Sequence, residues 1–143
     1  MPQPSRIKYP GAWYHIFNRS SGKKNIFNHP GFFELFLDIL SLTIEKYKIE
    51  IHTYCIMPNH YHLLAYTPLG NISIAMQYLL SNFTKKLNYF NNSDGAIFRS
   101  RYKSLLIENP SYLLQVSRYI HNNPAQAGLV KLPCQYKWSS YPS

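Results

Sequence analysis

Cysteine is scarce in this chain: Cys55 and Cys134 are the only two in 143 residues, far apart and at no metal-type spacing. That excludes a disulfide-stapled scaffold and leaves two reduced, packed thiols. With no third Cys or His at ligand spacing, a zinc-stabilised structural domain is disfavoured too. No apolar run approaches the ~20 residues that span a bilayer, so no membrane partner is expected. The opening stretch, MPQPSRIKYPG, lacks an apolar signal core. Nothing there routes the chain out of the cytoplasm. Internal repeats, low-complexity segments and linkers are missing as well, and a single domain over residues 1–143 is expected. Acidic residues are few, six against fifteen Lys and Arg.

What is present narrows the field. Hydrophobic residues make up 45% of the chain, enough for a real core. The net charge of +9 comes with 13 Tyr, 8 Phe and 2 Trp. Cations meet phosphates and rings stack on unpaired bases, so this balance suits nucleic acid. It equally suits an ordinary basic protein whose aromatics fill a core, and charge alone does not choose between them.

Periodicity supplies the framework. AWYHIFN (12–18) is rich in β-branched and aromatic residues and predicts a strand, followed by a polar loop over 19–29. From Pro30, the apolar positions Phe33, Phe36, Leu37, Leu40, Ile44 and Tyr47 recur at helical spacing. IEIHTYCIM (49–57) alternates like a strand, with Ile49, Ile51, Thr53, Cys55 and Met57 on one face. Pro58-Asn59 reads as a tight turn and HYHLLAY (60–66) as the return strand. A second amphipathic helix is expected from about Asn71 to Phe90, and a fourth strand over RYKSLLIE (101–108). A third helix should open with Asn109 as cap and Pro110 at its first position, and end near Asn123 because Pro124 disfavours helical geometry before it. The order is βαββαβ plus a helix. This is an α+β, ferredoxin-like antiparallel sheet with an additional C-terminal helix on the face opposite the two crossover helices.

Residues two apart on a strand share a face, roughly 6.5 Å apart. His60 and His62 therefore project side by side, while Tyr61, Leu63 and Ala65 point the other way. If the second set meets the crossover helices, the imidazoles face the third helix. Two neutral imidazoles at this spacing can chelate a divalent metal, although paired strand histidines are often simply packed or hydrogen-bonded. The third helix carries SRYIHNNPAQAGLV (117–130), with Tyr119 and Asn123 one turn apart on one face. Asn123 offers a neutral oxygen as a third ligand and Tyr119 a phenol able to attack phosphorus. Leu113, Val116 and Ile120 would anchor the helix to the sheet.

Several collinear stretches resemble the single-tyrosine HUH transposases, specifically the REP-associated tyrosine transposases. They are GAWYHIFNRSSGKKNIF (11–27), YCIMPNHYHLL (54–64) with a His-hydrophobic-His motif, FRSRYKSLLIE (98–108), YIHNNPAQAGLV (119–130) and YKWSSYPS (136–143). The resemblance implies a nuclease and strand transferase for single-stranded DNA next to a hairpin, in the cytoplasm of a prokaryote and associated with its nucleoid, working as a monomer or homodimer. It implies His60, His62 and Asn123 as metal ligands and Tyr119 as the nucleophile. Departures are Tyr61 in place of an aliphatic residue, Gln126 where a basic residue is common, and an end soon after WSSY, from which no C-terminal extension is expected.

The chemistry agrees with those roles. A free phenol is a poor nucleophile at neutral pH, and a nearby cation favours phenolate and polarises the phosphoryl oxygen. A 5′-phosphotyrosine conserves the energy of the broken bond, so DNA can be rejoined without ATP. Softness of imidazole favours Zn, Ni or Cu, whereas the resemblance implies Mg²⁺ or Mn²⁺, with Mn²⁺ satisfying both. Candidate phosphate contacts are Arg19, Lys23 and Lys24 after the first strand, and Arg99, Arg101 and Lys103 around the fourth. His121 reads as a helix-surface residue, and His15, His29 and His52 as structural or exposed. The competing class is a non-catalytic hairpin- or single-strand-binding module on the same sheet, but its aromatic signature is not evident.

Overall fold

Alternating apolar residues build four strands around two long amphipathic helices, as seen in a computed structural model that describes residues 9–141. The opening MPQPSRIK and the last two residues of the YKWSSYPS motif lie outside the described residues. The elements are β1 (Ala12–Arg19), α1 (Pro30–Tyr47), β2 (Glu50–Met57), β3 (His60–Thr67), α2 (Ile72–Asn91), β4 (Lys103–Ile107) and α3 (Leu113–Gln126). All strand pairs are antiparallel, in the order β2-β3-β1-β4. Chain order and strand order together make this the expected ferredoxin-like sheet. Among the described residues no helix is long and apolar enough to cross a membrane.

Each sheet face has its own core. On one, Phe33, Phe36 and Leu40 of α1 and Met76, Leu79 and Phe83 of α2 pack against Ile16, Tyr61, Leu63 and Ala65. On the other, Cys55, Met57 and Leu64 pack against Ile120 of α3 and Tyr136, with Leu113 and Val116 at the margin. The additional helix thus covers the opposite face, and the alternation along β3 aims His60 and His62 toward it.

Three local expectations need correction. The single face expected for Ile49, Ile51, Thr53, Cys55 and Met57 holds only from Thr53 onward. The register slips between Ile51 and Thr53, leaving His52 as an unpaired bulge residue, and Ile51 turns to the α1/α2 core. The fourth strand is shorter than expected, starting at Lys103 rather than Arg101. The third helix also runs past Asn123, through Pro124, to Gln126. Pro124 sits in the final turn, where its missing N–H forfeits a single helical bond. The end is closed instead at Gly128, whose φ of 78° lets its N–H reach Ala125 O at 3.1 Å while Leu129 N–H reaches Pro124 O at 3.0 Å. The start matches expectation, with Asn109 Oδ1 accepting from Ser111 N–H and Pro110 opening a short 3-10 turn before Leu113.

The WSSY stretch secures α3 and one sheet edge. Ile56 N–H donates to Trp138 O at 2.8 Å, Ser140 N–H to Tyr54 O at 3.0 Å, and Tyr136 Oη to Ile56 O at 2.6 Å. Trp138 lies flat on Phe33, with ring centres 4.7 Å apart. Thr53 and Ser117 hydroxyls meet at 2.7 Å, and His121 Nε2 meets Ser140 Oγ at 2.7 Å, pinning α3 across β2. His121 is therefore a packing residue rather than a free surface group.

Candidate active site

The central position of β3 fixes where the histidines stand. His62 lies between Phe17 of β1 and Cys55 of β2, and His60 between Arg19 and Met57. Above them, one turn of α3 brings down Tyr119 and Asn123. Asn123 Oδ1 is 3.4 Å from His60 Nε2, and Asn123 Nδ2 is 3.5 Å from His62 Nε2. The Tyr119 ring stands edge-on to His62, with centres 5.8 Å apart at 89°. Four residues singled out on two separate elements share one place.

The outer ring nitrogens are occupied. His60 Nδ1 meets Asn59 Oδ1 at 2.7 Å, so Nδ1–H donates and Nε2 keeps its lone pair. His62 Nδ1 lies 3.0 Å from His15 Nε2. With the His62 proton on Nδ1, donated to His15, the Nε2 lone pair of His62 also faces Asn123. His15 was expected to be structural or exposed, and it is the residue that sequence reasoning missed. Its two-residue spacing from Phe17 was the available signal, but only the β1–β3 pairing reveals that this face adjoins His62.

Burial holds His15 and His60 below the ordinary imidazole range, and pushes His62 down to about 3, with His15 and His60 adding repulsion. All three are neutral near pH 7, the form with a lone pair to donate. A stability consequence follows from the sign. The unfolded chain takes up these protons as pH falls below about 6.5, while the folded chain resists, so acid favours unfolding. Stability is expected to be flat with respect to these groups above about pH 6.5. Below it, stability should fall by up to ~1.4 kcal/mol per pH unit for each histidine kept neutral. Thermal melts at pH 7.5, 6 and 5 check this, and His62→Gln should reduce the slope.

The basic candidates divide. Arg19 and Lys23 line a cavity of about 380 Å³ together with His60, His62, Tyr119 and Asn123. Arg99 is held next to Arg19 by its N–H on Arg19 O at 3.0 Å. Lys103 stands across from Phe17 on β4. Lys24 is exposed beyond the cavity lining. Arg101 precedes β4 and lines a separate groove with Ser73, Met76 and Gln77 of α2, away from the histidines.

Residues 8–123 match the family described as "Transposase IS200 like". The chain belongs to the IS200-like transposase family. A Haemophilus influenzae protein named as a REP-associated tyrosine transposase is 31% identical over 110 residues, which is 69% of this chain. The match spans 62% of that relative's own length. The solved structure of a REP-associated tyrosine transposase bound to a REP hairpin superposes with a TM-score of 0.85 at 18% identity, covering 99% of this chain and 84% of that one. A Deinococcus radiodurans protein described as a transposase superposes at 0.56, also at 18% identity, over 85% of this chain and 97% of that one. Both likenesses bear on the fold alone.

Proposed function

We propose that this IS200-like transposase cleaves and rejoins single-stranded DNA beside a hairpin through a 5′-phosphotyrosine at Tyr119. The observation that carries the reading is the meeting of Tyr119 and Asn123 with two neutral histidines, His62 buried and His60 half-buried, whose Nε2 atoms both face Asn123. The hairpin partner is suggested by the relatives' descriptions and by the basic residues flanking the cavity.

The donor set fits a divalent cation. Two ligands 2.0–2.1 Å from a tetrahedral ion stand about 3.4 Å apart, and about 3 Å apart around an octahedral one. Asn123 Oδ1 and His60 Nε2, 3.4 Å apart, stand at that spacing. His60 Nε2, His62 Nε2 and Asn123 Oδ1 would hold the ion. Mn²⁺ or Mg²⁺ is the proposed metal. When bound, it supplies Lewis-acid polarisation of a phosphoryl oxygen. Tyr119 Oη attacks phosphorus and gives its proton to solvent. The bond from phosphorus to O3′ breaks, and O3′ takes up a proton to leave as a free 3′-hydroxyl. Reversal by another 3′-hydroxyl rejoins the strand. Arg19 and Lys23 hold the flanking phosphates.

His15 acts on this site through His62. By accepting from Nδ1–H it holds the ring orientation and tautomer that aim Nε2 outward. Outer partners of this kind are worth about 10–100-fold in metal affinity. His15→Phe, which keeps a ring of similar size, is expected to weaken Mn²⁺ binding by that factor in calorimetry with an unchanged circular dichroism spectrum. Wild-type affinity in the variant would remove His15 from the account.

Binding distinguishes substrate forms. Hairpins with single-stranded flanks should bind more tightly than blunt duplex in mobility-shift assays. The slope of log affinity on log salt should be about −0.7 per single-strand phosphate contacted, and Arg19→Ala should reduce its magnitude by about 0.7. Equal affinity for blunt duplex would count against the proposal.

A further inference from the structure

Tyr119 stands between two cavities of opposite character. The first is the polar one containing His60, Asn123, Arg19 and Lys23. The second, about 400 Å³, opens toward β4 and is walled by His15, Leu105, Gln115 and Val116, with Phe17, His62 and Tyr119 shared between the two. Its walls are aromatic or aliphatic apart from the His15 and His62 imidazoles and the Gln115 amide. Leu105 is 57% exposed and Tyr119 51%, so an apolar surface lies open to solvent beside the nucleophile.

A nucleotide has the same division. Its phosphodiester is anionic and its base is flat and largely apolar, joined through one sugar. A phosphate set between Tyr119 and the histidines has cations on the Arg19 and Lys23 side, which leaves the β4 side for an adjoining base. Phe17 and Tyr119 offer rings on which an unpaired base stacks. Lys103, across the strand pair from Phe17, supplies a cation for the next phosphate along. Gln115 lies one helical turn before Tyr119 on the same face of α3. Its amide carries both a donor and an acceptor, the combination that reads a base edge.

We infer that the Phe17–Leu105–Val116 pocket seats the unpaired base adjoining the scissile phosphate, and that Gln115 selects which base it is. This deepens the proposed cleavage reaction and rests on it. The pocket supplies the specificity of the cut, while the polar cavity supplies its chemistry.

The test uses the full chain with Mn²⁺ and a library of hairpin oligonucleotides randomised at the single-stranded positions around the cut, with products sequenced. Wild-type protein should show a base preference at a position adjoining the cleaved bond. Gln115→Ala should flatten it and Gln115→Glu should redirect it, each changing discrimination at that one position on the order of tenfold or more. Leu105→Trp, which fills the pocket from an exposed site, should raise KM for the preferred substrate. Cleavage by wild type with an unchanged preference in both Gln115 variants, and a normal KM in Leu105→Trp, overturns the base pocket and leaves the cleavage reaction standing. An absence of cleavage by wild type overturns the reaction itself, and the pocket assignment with it.

Discussion

Replacing His60 or His62 with alanine is expected to abolish measurable divalent-cation binding and, with it, DNA cleavage. Each imidazole would supply one of three protein donors, and an ion held by two of them keeps little of its affinity. Outer partners alone are worth about 10–100-fold, so a direct ligand should cost at least about 100-fold. His60 and His62 reach the site from one strand, whose other face is anchored by Tyr61 and Leu63 in the α1/α2 core. The fold should therefore survive. His62 is the more sensitive case because it is buried and its loss strips His15 Nε2 of its partner. His62→Gln, closer in volume, serves as its companion. Calorimetric titration with Mn²⁺, backed by circular dichroism, reads the outcome. Wild-type affinity in His60→Ala and in both His62 variants would place the metal elsewhere.

Tyr119→Phe should have the larger effect on chemistry and almost none on binding. The substitution keeps the ring against His62 and removes only the oxygen proposed to attack. Loss of an essential nucleophile typically costs three or more orders of magnitude, so a fall of at least about a thousandfold in cleavage is expected. Hairpin affinity should stay within about twofold, because the proposed phosphate contacts lie on Arg19, Lys23 and their neighbours. Tyr112 is the internal control. It sits at the last residue of the 3-10 turn before α3, seven residues earlier, about 10 Å further along the helix direction. Half-exposed and away from the cavity lining, it should be dispensable, and Tyr112→Phe should cleave normally.

Much of this arrangement is legible in the sequence. Alternation along residues 60–66 separated the His pair from Tyr61, Leu63 and Ala65, and helical spacing placed Tyr119 over Asn123. Both signals are local, and local periodicity survives folding when one face is buried. The misses are of another kind. The bulge at His52 inverts Ile51 relative to Thr53, and a one-residue slip leaves no mark in composition. Pro124 reads as a stop, yet the glycine four residues later sets the end, since a proline in the last turn costs one bond while Gly128 lets two form. Arg101 was placed on a strand that begins two residues after it, and so landed on the α2 side. His15 escaped because its role depends on which strand lies next to β1, a non-local fact. Tertiary pairing, not residue type, made it part of the site.

The most direct measurement is the fate of an end label in a denaturing gel. Hairpin oligonucleotides carrying the label at either the 5′ or the 3′ end are incubated with the protein and Mn²⁺, and the protein-linked band is digested and its modified peptide identified by mass spectrometry. Attack by Tyr119 with departure of O3′ leaves the protein on the 5′ end of the downstream fragment. The 3′ label should therefore travel with the protein, the 5′ label should appear on a free fragment, and the modified residue should be Tyr119. A covalent band carrying the 5′ label, a modification on another residue, or no covalent band with a hairpin that the protein binds would contradict the account.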